Sequence, residues 1–213
     1  MVLTRLQTLL NDLYALEMSY DVYDFLTTDA GLAHSLDHGG RQVDEKLLIA
    51  EGDDEASVSL YLDQTLVERL QDSDPSSRLD DANLADFWTA LEGISHFMYY
   101  AWNAAADKSV TLLEMELQAE VDKFVGTHLL LQRQGSRLTP NLHHWLFELT
   151  HFDSSLSGEE LQRYQDANHY AAKYCRKLAP LVDEWNAGGT LNRELCEFYR
   201  YTQPAKIRHI ETA

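Results

Sequence analysis

Glu92 and His96 lie one helical turn apart inside LADFWTALEGISHFMYYAWNAA, the stretch from Leu84 to Ala105. A carboxylate and an imidazole at i and i+4 project from the same side of a helix, where they can share a proton or hold a cation together. Leu84, Phe87, Trp88 and Leu91 form one apolar stripe. From Ile94 to Trp102, apolar residues cover every side, and only Ser95 and His96 interrupt them. A helix that is apolar all round is a buried one, and this run is too short to span a bilayer. The helix is therefore expected at the centre of the molecule, with His96 inside.

A second helix is predicted from about Val110 to Gln134, with Leu113, Leu117, Val121, Phe124, His128 and Leu131 as its stripe. Asp107-Lys108-Ser109 is short enough to make the two helices an antiparallel hairpin. Folding it about Lys108 brings Glu120, at the edge of the stripe, to the level of His96, with Glu116 one turn back. A buried carboxylate is costly unless it is paired, protonated or bound to metal. The expected relief is an ion pair between Glu120 and His96, with Lys123 or Tyr99 nearby. Two chemical alternatives use the same residues. Glu92, His96 and Glu120 form a candidate acid–base set, and Glu92, His96, Glu116 and Glu120 form a candidate site for a divalent iron, manganese or zinc ion.

Other groupings are weaker. His144, Glu148 and His151 share one face of a predicted helix through Leu142, Trp145, Leu146, Leu149 and Phe152. That face is opposite the apolar stripe, so the trio is a surface alternative suited to adventitious metal. Asp166 and His169 have the i, i+3 step used in carboxylate di-iron bundles. They stand off their helix's stripe of Leu161, Tyr164, Ala171, Cys175, Leu178 and Val182, and so fail to supply the second ligand pair. His34, Asp37 and His38 fall in AHSLDHGGRQ, which reads as a solvated loop. No phosphate-binding glycine loop, Cys-x-x-Cys, nucleophile elbow or His-Glu-x-x-His is present, so no motif calls for a cofactor.

The elements around these residues are mostly helical. The first is predicted from Leu3 to about Leu26, with Thr27 to Gly31 as its stop. KLLIA and SVSLYLD around EGDDE read as two short strands, a hairpin over about 46–62 with Val58, Leu60 and Leu62 facing inward. Such a hairpin must lean on the helices or pair with a second copy. Asp63 caps a short helix, and Asp72 to Ser77 is the clearest linker. Ser157 and Glu160 form a capping box opening a helix to about Trp185, which Pro180 should kink or break. A last helix runs from Leu191 to Tyr201, ahead of a charged tail. The expected fold is a mostly α, multi-helix bundle with one small hairpin. It is read as a single domain over 1–213, with an N-terminal subregion 1–72, a linker at 72–78 and a helical core at 79–203.

Thirty-five acidic and 17 basic side chains give a formal charge of −18. That balance argues against nucleic acid and against an anionic membrane surface, both of which are held by Lys and Arg. Two cysteines, Cys175 and Cys196, are too few for a disulfide scaffold and fit small core residues. With no secretory or membrane-spanning run, the chain reads as cytoplasmic. Acidity and an exposed hairpin edge favour a non-enzymatic protein acting through a protein partner or through self-association, as in a homodimer. The alternative is the metal-dependent or acid–base enzyme centred on Glu92, His96 and Glu120.

Overall fold

The computed structural model describes residues 1–37, 41, 43–51, 56–136, 142–182 and 188–212. It is a mostly helical bundle carrying a small three-stranded sheet. Helix α1 (Val2–Tyr14) buries Leu3, Leu6, Leu10 and Leu13. It ends well before the expected limit near Leu26. Ala15 turns left-handed at φ 49°, and the Leu16 N–H closes on the Asn11 carbonyl at 3.0 Å. This is a glycine-type stop made without glycine, so the sequence carries no sign of it. A short 3-10 turn (Val22–Asp24) then leads into strand β1 (Leu26–Thr27). Asp29, placed in the stop signal by the sequence, instead caps a new helix: its carboxylate accepts from the N–H groups of Gly31 at 2.9 Å and Leu32 at 3.0 Å. That helix, α2 (Ala30–Leu36), carries His34 where a loop was expected, while His38 lies outside the described residues.

Strands β2 (Glu45–Glu51) and β3 (Ala56–Leu62) form the expected antiparallel hairpin, with Leu47 opposite Leu60 and Glu45 opposite Leu62. Strand β1 adds in parallel on the far side of β3, giving the order β1-β3-β2. Leu60 and Leu62 face the bundle and are fully buried. The opposite face is covered too. Tyr61, expected to point outward, is only 4% exposed and clusters with Leu48 and with Ala33 of α2.

Asp63 caps α3 (Gln64–Asp72) as anticipated. The linker after it is pinned to the bundle: the Gln134 side chain accepts from the Leu79 N–H and donates to the Pro75 carbonyl, both at 2.8 Å. Helices α4 (Leu84–Ala104) and α5 (Leu112–Arg133) make the predicted hairpin, and a Thr111–Glu114 capping box opens the second. The helix predicted around Leu142–Phe152 is present in part: Leu142 and His143 are α-helical and run into one π-type turn (His144–Glu148), after which the helix ends and Leu149 is half exposed. Helix α6 (Gly158–Val182) starts at the Ser157–Glu160 box and continues through Pro180. Helix α7 (Thr190–Arg200) follows, and the charged tail is itself a helix, α8 (Gln203–Thr212).

The main apolar cluster includes side chains from Val2 to Ile210. Helices α4, α5 and α6 pack in succession, α1 lies across α4 and α7, and the sheet rests on α4. Both cysteines are free thiols, with Cys175 buried. Among the described residues no helix is long and apolar enough to cross a membrane.

Candidate metal centre

The hairpin of α4 and α5 has the expected register. The Trp88 indole N–H donates to Thr127 Oγ1 at 2.9 Å, Lys123 Nζ lies 2.9 Å from Glu92 Oε2, and the Ser95 hydroxyl donates to Asp122 at 2.5 Å. These pairs set His96 at the level of Ala119 and Glu120. The helix rotation then decides which acid it meets. Glu120 turns to Lys123, with Oε1 2.6 Å from Nζ. His96 faces Glu116 instead, Nε2 lying 3.6 Å from Oε2. Its other ring nitrogen, Nδ1, is 3.4 Å from Glu45 Oε1 at the start of β2. The expected His96–Glu120 contact is thus replaced by a Glu45–His96–Glu116 series, and Tyr99 lies instead beside Lys206.

Glu45 reaches His96 because Gly93 leaves room for it. A Cβ built on Gly93 would stand 2.7 Å from Glu45 Cγ and 2.9 Å from Leu60 Cδ1. Real side chains do not approach so closely, so strand and helix meet here only around a hydrogen atom. From the other side, α6 contributes Arg163, whose Nε is 3.7 Å from Glu116 Oε1, and the half-buried Tyr164.

One candidate ligand atom from each of Glu92, His96 and Glu116 lies within 4.8 Å of the others. Each of the three also has an outer partner. Lys123 holds Glu92, Arg163 lies against Glu116, and Glu45 faces the remote nitrogen of His96. The last arrangement is that of a carboxylate–histidine–metal triad, in which the carboxylate fixes the ring and leaves Nε2 for the ion. His96 Nε2, Glu45 Oε1 and Arg163 Nε are buried without a hydrogen-bond partner. Such orphaned polar atoms are uncommon and mark strain, function or an absent ion. The residues present therefore fit a divalent cation bound by two carboxylates and an imidazole.

The electrostatics point the same way. Burial alone would pull the His96 pKa down, but the Glu116 and Glu45 carboxylates outweigh it and hold it well above the usual histidine range. Burial raises Glu45, reinforced by Glu92 and Glu116 and opposed by His96. Burial also pushes Glu92 up, yet Lys123 and His96 bring it below the ordinary value. Glu120 stays raised by burial despite Lys123. The Tyr164 phenol is raised by burial and then by the charges of Glu116, Glu92 and Glu45. These acids crowd one another, and either a proton on His96 or a bound cation would relieve them.

The other groupings do not converge in this way. His144 Nδ1 is 2.7 Å from Glu148 Oε2, but both are half exposed, and His151 falls beyond the π-type turn on the surface. Asp166 accepts from Gln162 at 2.9 Å, and His169 is exposed. Sequence reasoning passed over Glu45, Arg163 and Tyr164. For Glu45 a signal existed: it shares strand parity with Leu47, opposite the inward-facing Leu60, which puts it on the bundle side. Comparison of the chain with protein-family models, with curated proteins and with solved structures finds no match.

Proposed function

We propose that this chain is a metal-dependent protein whose activity centres on a divalent cation held by Glu92, His96 and Glu116. The observation that carries this reading is the convergence of those three ligand atoms within 4.8 Å, on an imidazole whose buried Nε2 makes no hydrogen bond. Two carboxylates and one imidazole suit manganese, iron(II) or zinc. Three protein ligands leave coordination positions open, which characterises catalytic rather than structural ions. When bound, the ion would supply Lewis acidity and an acidified water. Of the chain's own groups, Glu45 orients His96, and Lys123 and Arg163 hold the two ligand carboxylates.

Elemental analysis of untagged protein, alongside Glu116→Gln and His96→Gln, tests this reading. About one equivalent of metal per chain is expected, lost in both variants while their helical circular dichroism persists. Wild-type protein that binds no manganese, iron(II) or zinc on titration would overturn it. Metal lost only in His144→Ala would assign the binding to the surface group.

Self-association keeps one observation in its favour. Among the described residues β2 is an edge strand, paired only with β3. A mass measurement by light scattering, with Ile49→Lys on that edge as the disrupting variant, tests it.

A further inference from the structure

On a different part of the bundle, α6, α7 and α8 enclose an open cleft of about 460 Å³. Its lining includes Lys177 and Leu178 from α6, Thr190, Arg193 and Glu194 from α7, and His209 from α8. This volume falls within the range of small-molecule sites, which are largely apolar with a few converging polar groups. Leu181 supplies an apolar wall, backed by the core residue Leu178. Two cationic side chains, Lys177 and Arg193, and the His209 imidazole meet here from three helices in a chain of net charge −18.

The acids in the cleft are not free to neutralise them all. Glu194 Oε1 accepts from the Tyr174 hydroxyl at 3.0 Å and lies 2.6 Å from His209 Nε2. Lys177 Nζ gives one of its three N–H groups to the His209 carbonyl at 3.2 Å. The Arg193 guanidinium forms no ion pair among the described residues. Glu197, exposed at the rim, is the remaining carboxylate. Two cations with unused donors thus stand over an apolar wall, with one engaged and one free acid beside them.

We infer that this cleft binds a small monocarboxylate with an apolar body. Its carboxylate would sit between Arg193 and Lys177, and its body would sit on Leu181. Guanidinium pairs with a carboxylate through two parallel N–H donors, which gives the site its geometry. A dianion is disfavoured by Glu194, by Glu197 and by the field of the whole acidic chain. The inference is independent of the metal reading, since none of these residues belongs to that site.

Benzoate is the probe, with benzyl alcohol as the uncharged control and phenyl phosphate as the dianion, each titrated into ¹⁵N-labelled full-length protein. Benzoate is expected to shift the amides of residues 190–197 saturably at millimolar concentration, without comparable shifts at 92–120. Benzyl alcohol should leave them in place. Arg193→Gln, an exposed substitution that spares the core, should weaken benzoate about tenfold or more, the loss of one charge-assisted bond. No saturable shift, equal binding of benzyl alcohol, or unchanged affinity in Arg193→Gln would overturn the site. Tighter binding of phenyl phosphate would overturn the assignment to a monocarboxylate.

Discussion

His96 sits between two acids, and what it carries depends on what else is bound. Glu45, Glu92, Glu116 and Glu120 face two fixed cations, Lys123 and Arg163, so with a neutral imidazole the group has two uncompensated negative charges. Two protons can cancel them, one on His96 and one among the buried carboxyls whose pKa values are raised, Glu45 and Glu120. One divalent cation can do the same. Metal and protons therefore compete, and affinity should increase with pH until His96 has lost its proton. Calorimetry in buffers of different ionisation enthalpy should show protons released as the ion binds, the His96 proton among them, and fewer as pH rises. Without metal the sign reverses for His96: its raised pKa adds stability at low pH, lost as pH climbs through that raised value. Gly93 is the second decisive residue. In Gly93→Ala the new methyl meets Glu45 Cγ and Leu60, both part of the sheet–helix contact. Urea unfolding should show a loss of about 1–3 kcal/mol, the usual consequence of overpacking, and metal binding should weaken along with it because Glu45 is displaced from His96.

At the scale of elements, the α4–α5 hairpin, the β2–β3 hairpin, the Asp63 cap and the Ser157 box were all legible, because each rests on local patterning that tertiary structure did not override. The site was half legible. Periodicity put His96 at the level of Glu120, but selecting Glu116 needed the helix rotation, which α6 and the sheet set through contacts distant in sequence. The end of α1 at Ala15 and the start of α2 at Asp29 were misread because a left-handed alanine and a capping aspartate resemble, in sequence, helix interior and helix stop. Helix α8 was missed since its sequence, QPAKIRHIET, looks like a solvated tail. Yet it delivers Lys206 fully buried, with Nζ 2.6 Å from Gln118 Oε1 and 4.4 Å and 4.6 Å from the ring centres of Phe198 and Tyr99. Burial pulls that ammonium down to about 7, against the opposing pull of Asp122 and Glu114. Between pH 7 and the ordinary lysine value near 10.4, the unfolded chain holds a proton the folded chain does not, so stability contributed by this residue grows with pH across that window. The increase is of order 5 kcal/mol at most, at about 1.4 kcal/mol per pKa unit. Lys206→Met should abolish it. The test is the difference between wild-type and variant urea-unfolding free energies at pH 7 and pH 9.5, which removes the other groups that titrate there.

For the molecule as a whole, the site stands where the sheet meets the bundle. Glu45 belongs to the sheet, Glu92 and His96 to α4, Glu116 to α5, and Arg163 to α6, so an ion at the centre would add a further link among parts already joined by apolar packing and by the Glu45–His96, Lys123–Glu92 and Arg163–Glu116 contacts. A ligand that binds only the folded chain stabilises it by mass action, about 2.7 kcal/mol at a hundredfold excess over its dissociation constant. For a chain of 213 residues that corresponds to a rise in melting temperature of roughly 5–11 °C. General screening of the −18 charge also stabilises an acidic protein, so the comparison must be made at fixed ionic strength. Manganese or zinc is expected to raise the melting temperature where sodium chloride of equal ionic strength does not, and Glu116→Gln should lose the metal increment while keeping the salt response. Hydrogen exchange locates the effect. Slowed exchange in β2 and β3 as well as in α4 and α5 would mean the ion clamps the sheet to the bundle through Glu45. Slowing confined to α4 and α5 would mean that Glu45 only tunes His96 and that the sheet moves independently of the bound ion. Equal melting shifts in wild type and Glu116→Gln would remove this site from the account of metal binding altogether.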